Sequence, residues 1–115
     1  HCFLVMVTME TTPDSMMYIE NIEQALEYME EAIRHKIRKI DVCTRYSAMQ
    51  YLIILFESDE SQIPKVMDRI FIQYYKLYDK RDFIPKYEYL PVNEHSEGTN
   101  PQNTSDHLNQ DIHPV

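Results

Sequence analysis

The feature that most constrains the fold is a pair of short strand-like runs in mid-chain, residues 42–46 and 51–56, separated by four residues. Runs of this length with β-branched and aromatic residues are typical of β-strands, and so short a connection joins antiparallel neighbours. A long helical pattern flanks the pair on each side. We therefore expect one β-hairpin placed between two helices.

Apolar residues at steps of three and four predict both helices. Thr12 and Pro13 predict the start of the first, because Thr caps helices and Pro fits the first helical position. The apolar face of the first helix consists of Ile19, Ile22, Leu26, Met29, Ile33 and Ile37. Residues 58–61 predict the start of the second helix, with Pro64 tolerated in its first turn. The apolar face of the second helix consists of Ile63, Val66, Met67, Ile70, Phe71, Tyr74, Leu77 and Tyr78.

Two further strands, at residues 3–9 and 87–90, complete the order βαββαβ. This order predicts an α+β fold of the ferredoxin-like type, with an antiparallel sheet and two helices on one face. From residue 93 onward the composition becomes polar. It predicts a folded domain at residues 1–92 and a disordered tail at residues 93–115.

Charge and composition exclude several functions. A net charge of −8 argues against binding nucleic acid, which needs a basic surface. The sequence contains no run of about 20 apolar residues that could cross a membrane, and we expect no signal peptide. Cys2 and Cys43 lie in predicted strands, which favours buried, reduced thiols in the cytoplasm. Because the chain starts at His1 and not at Met, we also expect a piece of a longer protein or a tag remnant. The longer protein could be attached to a membrane, with this domain in the cytoplasm.

Glycine is missing from residues 1–92, since the one glycine is Gly98. Loops that wrap a nucleotide triphosphate need glycine for positive φ and for close approach of the backbone. A Walker loop and a dinucleotide fingerprint are therefore excluded there. The histidines of the tail fit no metal-site spacing, and we expect neither a metal nor another cofactor.

An Arg-x-x-Asp motif, Arg38 and Asp41, stands five residues before the hairpin turn, and the five residues end in Arg45 and Tyr46. In this spacing the chain resembles the GGDEF (diguanylate cyclase) family. There the Arg-x-x-Asp motif and five residues precede a Gly-Gly-Asp/Glu-Glu-Phe turn and an apolar strand. The resemblance covers about residues 2–91. Here the turn reads Ser47-Ala48-Met49-Gln50-Tyr51.

The resemblance implies a degenerate domain without catalytic residues. The family makes cyclic di-GMP from two GTP molecules, using metal ions held by carboxylates at the end of the first strand and in the turn. Thr8 stands where the first-strand Asp is expected, and Met49 and Gln50 stand at the acidic turn positions. Ser47 and Ala48 replace the turn glycines. The C-terminal helix pattern of the family is not found after the fourth strand.

Many members of the family are inhibited by their product at a site built on Arg-x-x-Asp. In some members an arginine on the helix after the hairpin completes it. Arg38 and Asp41 match the first element, and Arg69 falls at the position of the second arginine. An arginine fork can bind a phosphate or the guanine O6/N7 edge, and a carboxylate can accept from guanine N1 and N2.

The resemblance thus predicts a non-catalytic regulatory domain that binds cyclic di-GMP through Arg38, Asp41 and Arg69. It would pass that state to a protein partner or to an adjoining domain, and ligand-dependent homodimerisation is a further expectation. The alternative is a protein interaction or dimerisation module that binds no ligand. In that case Arg38 only caps its helix, Asp41 pairs with Arg38 or starts a turn, and Arg69 is a solvated helix residue.

Overall fold

The computed structural model describes residues 1–13 and 19–92. Its elements are β1 (Phe3–Thr11), α1 (Ile19–Lys36), β2 (Val42–Ser47), β3 (Gln50–Leu55), α2 (Ile63–Leu77) and β4 (Phe83–Pro91). The predicted βαββαβ order is confirmed. The first turn of the predicted helix after Pro13 and the predicted tail at residues 93–115 lie outside the described residues. Within the described part of the chain, no helix is long and apolar enough to cross a membrane.

The four strands form one antiparallel sheet in the order β2-β3-β1-β4. Each helix therefore connects two strands that have one other strand between them, which is the ferredoxin-like arrangement. α1 and α2 pack side by side. The predicted fold class, an α+β sheet with two helices on one face, is correct.

The hydrophobic core lies between the helices and one face of the sheet. Alternate strand residues point into it, so β1 and β3 each bury every second side chain. The helices contribute apolar stripes, which in α1 include the predicted Leu26, Met29 and Ile33. The largest side chains that are fully buried there are Tyr51, Tyr74, Phe83, Met9, Met29, Ile33, Ile53, Leu55, Ile63, Met67, Ile70 and Val5.

The other face of the sheet, which we call the open face, is covered by no described helix. Its side chains come from the strand positions that alternate with the core positions, and they are half-buried or exposed. They are Leu4, Met6, Thr8, Glu10, Val42, Thr44, Tyr46, Gln50, Leu52, Ile54, Ile84, Lys86, Glu88 and Leu90.

The fourth strand differs most from its prediction, because it extends over Phe83–Pro91 instead of residues 87–90. Pro85 argues against a strand at the sequence level, since proline cannot donate a hydrogen bond to a neighbouring strand. Among the described strands β4 pairs only with β1, so in this part of the chain one side of its backbone has no partner strand. An edge position of this kind accommodates Pro85, which pairs with Met9 in the register.

The boundaries around the hairpin and α2 are close to those predicted. The hairpin turn shortens to Ala48 and Met49, with an irregular register between Arg45 and Ser47. The second helix is preceded by a 3₁₀ turn at Glu60–Gln62, and Pro64 lies in the first turn of α2 as expected.

Candidate functional site

The Arg-x-x-Asp motif lies in the loop between α1 and β2. The N–H of Asp41 donates to the carbonyl of Arg38 at 3.0 Å, and this turn brings the two side chains together. β2 begins immediately after Asp41, whereas the hairpin turn is at its other end. At about 3.3 Å per residue the motif lies roughly 20 Å from the turn. The motif and the turn are thus separate sites at opposite ends of the hairpin.

The carboxylate of Asp41 is buried and fully engaged. Its side chain is only 2% exposed. Oδ2 accepts from the backbone N–H of Arg38 at 2.9 Å and from its Nε at 3.0 Å. Oδ1 accepts from Arg38 Nη2 at 3.1 Å and from the backbone N–H of Phe56 at 3.1 Å. Asp41 thus ties the end of β3 to the loop that precedes β2.

The guanidinium of Arg38 is held at several points while half of the side chain stays in solvent. Nη2 also donates to the hydroxyl of Ser58 at 2.9 Å and to the carbonyl of Phe56. The hydrogen bond to Asp41 raises the pKa of Arg38, so its charge is permanent. The side chain is nevertheless 50% exposed. We call Arg38, Asp41, Phe56 and Ser58 the Arg38 clamp.

A shallow groove of about 560 Å³ lies beside the Arg38 clamp. Two of its walls are the exposed apolar side chains of Ile40 and Phe56, which are 51% and 37% exposed. Its remaining lining is His1, Cys2 and Glu57. Glu57 has a φ of 49°, a left-handed value that costs a non-glycine residue about 1 kcal/mol. The groove places apolar surface beside the clamp, which it joins at Phe56, and its lining also includes the carboxylate of Glu57.

The structure does not join Arg69 to the other two predicted site residues. Arg69 lies on the exposed side of α2, where its Nε donates to the carbonyl of Lys65 at 3.3 Å. Among the contacts of the described residues, none links Arg69 to Arg38 or Asp41. The guanidinium of Arg69 is accordingly exposed to solvent on a neighbouring element.

At the other end of the hairpin, neutral side chains are hydrogen-bonded to one another. Gln50 Nε2 donates to Thr8 Oγ1 at 3.1 Å, and the hydroxyl of Ser47 donates to Gln50 Oε1 at 2.8 Å. Thr8 and Gln50 are also direct partners in the β1–β3 register. The described residues include no group of three or more His, Cys, Asp or Glu side chains that could hold a metal ion.

Tyr51 anchors the turn to the helical layer. Its hydroxyl donates to the carbonyl of Leu26 in α1 at 2.8 Å. Burial raises the pKa of Tyr51, which keeps the hydroxyl protonated. Arg45 lies over the Tyr51 ring at 5.5 Å and donates to the carbonyls of Ser47 and Ala48. The turn is therefore fixed by side-chain contacts from both strands.

Sequence reasoning found Arg38 and Asp41 but missed the other half of the clamp. Ser58 and the backbone of Phe56 come from the loop after β3, which no local pattern connects to the Arg-x-x-Asp motif. A signal did exist for the groove, since Ile40 and Phe56 are large apolar residues at the ends of predicted strands and loops. Large apolar residues at the ends of elements, which the core-facing pattern does not require, indicate a surface that contacts another molecule.

Comparisons with known proteins point to one fold. No protein-family model matches the sequence, and no curated protein matches it. A DGC protein from Thermotoga maritima superposes with a TM-score of 0.59 at 15% identity, covering 78% of this chain and 64% of that one. The diguanylate cyclase SiaD from Pseudomonas aeruginosa, solved in complex with its activator SiaC, gives 0.62 at 15% identity, covering 91% of this chain and 43% of that one.

The chain has a GGDEF-like fold. It spans less than two thirds of the length of either of these structures. In the GGDEF-like frame, the Arg38 clamp lies at the base of the hairpin and the Thr8–Gln50 pair lies beside its turn.

Proposed function

We propose that this GGDEF-like domain is a non-catalytic regulatory module that binds cyclic di-GMP at the Arg38 clamp. It then passes the bound state to a protein partner or to an adjoining domain. The observation that carries the proposal is the geometry of Arg38. A half-exposed, permanently charged guanidinium is held in one orientation beside the groove of Ile40 and Phe56.

Cyclic di-GMP carries two phosphates and two guanines, and the clamp supplies complementary groups for both. Nε and Nη2 of Arg38 already donate to Asp41, Ser58 and Phe56, so its Nη1 is the group that can donate to a phosphate or to a guanine acceptor. The apolar side chains of Ile40 and Phe56 offer a surface for a flat base. The neighbouring basic residues at the end of α1 and in the following loop would attract a dianion to an otherwise acidic domain; they are Arg34, Lys36 and Lys39.

The geometry gives Asp41 a different role from the one that the resemblance implies. All of its accepting positions are directed at Arg38 and Phe56, and the carboxylate is buried. Asp41 is therefore a positioning residue that aims Arg38, instead of an acceptor for guanine. Arg69 would supply the second charge from α2, since its contact with the Lys65 carbonyl is weak and exposed.

Support for a non-catalytic role comes from the side chains at the hairpin turn. Metal-assisted phosphoryl transfer needs carboxylates that can hold divalent ions. Thr8 and Gln50 hydrogen-bond to each other and carry no charge. With GTP and magnesium, we expect the domain to form no cyclic di-GMP. Measurable product in a chromatographic assay would contradict this part of the proposal.

Isothermal titration of cyclic di-GMP into the whole chain tests the binding site. Arg69→Ala is the most informative variant, because within residues 1–13 and 19–92 Arg69 has no hydrogen bond or ion pair beyond its own helix. We expect low-micromolar binding by the wild-type chain and a loss of at least ~tenfold, about 1.4 kcal/mol, in Arg69→Ala. Lys76→Ala is the matched control, since it removes a positive charge from the last turn of the same helix.

Arg38→Lys provides a second test, because lysine keeps the charge but loses the fork by which Asp41 orients the guanidinium. Binding should weaken while the circular dichroism spectrum is unchanged. No heat and no shift in melting temperature at about 100 μM ligand would refute the proposed site.

A second function, protein interaction without any ligand, is favoured by the apolar open face of the sheet. The similar fold of SiaD was solved bound to a protein activator. This alternative predicts that Arg69→Ala changes nothing and that the domain associates with protein in the absence of nucleotide.

A further inference from the structure

The open face contains an apolar row that crosses all four strands. Register pairs join Val42 to Ile54, Ile54 to Leu4, and Leu4 to Leu90. The next row adds Leu52 beside Met6. The two edge residues of the first row, Val42 and Leu90, are 45% and 39% exposed. A continuous apolar strip thus extends from one edge of the sheet to the other.

This pattern is unusual for a sheet with one face in water. Antiparallel strands of that kind alternate apolar and polar residues. In β1 and β3, in contrast, both faces are apolar over much of the strand, as in strands that are covered on both sides. Contiguous apolar patches on a protein surface mark sites of interaction. The composition of the two central strands therefore fits a sheet with a cover on each face.

We propose that the open face is the interface of a homodimer, in which the sheets of two copies pack face to face. This inference does not depend on a ligand at the Arg38 clamp. The distribution of charge on the domain favours a second copy as the partner at this face.

The chain has a net charge of −8, of which residues 1–92 carry −4 (15 Asp+Glu against 11 Lys+Arg), and this charge opposes self-association through most of the surface. The acidic residues of α1 lie in the helical layer, on the side of the sheet away from the open face; they include Glu23, Glu27, Glu30 and Glu31. Among the described residues of the open face, the charged side chains are Glu10, Lys86 and Glu88, and Lys86 pairs with Glu10 at 2.9 Å. Packing through this face keeps the acidic helices of the two copies on the outside.

The size of the open face suits a small homodimer. Strands of six to nine residues spaced about 4.8 Å apart, with about 3.3 Å per residue, give a projected area of roughly 400–500 Å². Two such faces remove roughly 1,000 Å² from water, which is near the lower bound for a specific interface. Stacked sheets lie about 10 Å apart with interdigitated side chains, as in a β-sandwich.

The row is also compatible with two-fold symmetry. A two-fold axis that lies between the two sheets, parallel to the strands and midway between β3 and β1, places each row of one copy over the same row of the second copy. Val42 then faces Leu90 of the second copy, and Ile54 faces Leu4 of the second copy. The same patch serves both partners, as an interface with two-fold symmetry requires.

Sedimentation velocity of the whole chain without nucleotide, from about 1 to 100 μM, tests the dimer. We expect a concentration-dependent monomer–dimer equilibrium. Val42→Glu and Leu90→Glu each place an unpaired charge in the interface and should weaken it at least ~tenfold. Ile72→Glu is the matched control, because Ile72 is 57% exposed on α2 and lies in the helical layer; it should leave the dimer unchanged.

Val42 and Leu90 lie on edge strands and are partly exposed, so both variants should keep the circular dichroism spectrum and the melting temperature of the domain. A wild-type chain that stays monomeric at about 100 μM would overturn the proposal, whatever else covers the open face. Equal loss of the dimer in Ile72→Glu would overturn it as well, because the contact would then involve the helical layer.

Discussion

Removal of the Asp41 carboxylate should destabilise the domain far more than removal of Arg38, its ion-pair partner. The Asp41 carboxylate accepts four hydrogen bonds of two kinds. Two hydrogen bonds come from the guanidinium of Arg38, and two come from the backbone N–H groups of Arg38 and Phe56. The bond from Phe56 fastens the start of β2 to the end of β3, and the bond from the Arg38 N–H closes the loop before β2, whereas the ion pair lies at a half-exposed side chain.

The magnitude follows from these two kinds of bond. A hydrogen bond to a charged group contributes about 1.5–3 kcal/mol, so two backbone bonds to Asp41 give about 3 kcal/mol at the lower end. The ion pair adds about 0.5 kcal/mol, because Arg38 is 50% exposed and solvent screens it. We therefore expect Asp41→Ala to cost about 3–4 kcal/mol and Arg38→Ala about 1 kcal/mol.

Asp41→Asn lies between these variants, because the amide oxygen can keep one of the backbone bonds. We expect a cost of about 2 kcal/mol for it. The assay is equilibrium unfolding in urea, followed by circular dichroism, with the free energy of unfolding taken by linear extrapolation. Since small domains have about 5–15 kcal/mol of stability in total, these differences are easily resolved.

Two results would refute this reasoning. If Arg38→Ala cost as much as Asp41→Ala, the ion pair and not the backbone bonds would hold the clamp. If Asp41→Ala cost less than about 1 kcal/mol, water would have replaced the carboxylate and the clamp would contribute little.

Two further predictions concern the core and the turn. Burial raises the pKa of the Cys43 thiol from its ordinary 9.0 to about 11, so the folded state favours the protonated form. The stability that the protonated thiol contributes is complete below about pH 9 and is lost as the pH rises towards 11. The free energy of unfolding should fall by about 2 kcal/mol over this range, and the urea midpoint of Cys43→Ala should fall less than that of the wild type. Tyr51→Phe removes the buried bond to the Leu26 carbonyl and should cost about 1 kcal/mol, without changing the association state. An unchanged urea midpoint in Tyr51→Phe would show that the bond has no net effect on stability.

The sequence by itself determined the elements and their order. Periods of 3.6 and 2 are local properties, so the helix stripes and the hairpin are visible without any long-range information. The spacing from Arg38 and Asp41 to the turn is local as well, and it places the motif at the opposite end of the hairpin. The neutral residues at the turn, Met49 and Gln50, are likewise evident from the sequence alone.

Only the tertiary structure decided what these residues contact. Sheet order and register pair residues far apart in the chain, and no local pattern states that Thr8 meets Gln50 or that Leu4 lies between Ile54 and Leu90. The edge position of β4 is what permits Pro85 within a strand. The burial of Asp41 depends on the loop after β3, which supplies Ser58 and Phe56 from 15 or more residues away. Local propensity fixes each element, but the contacts of a side chain depend on which distant elements pack beside it.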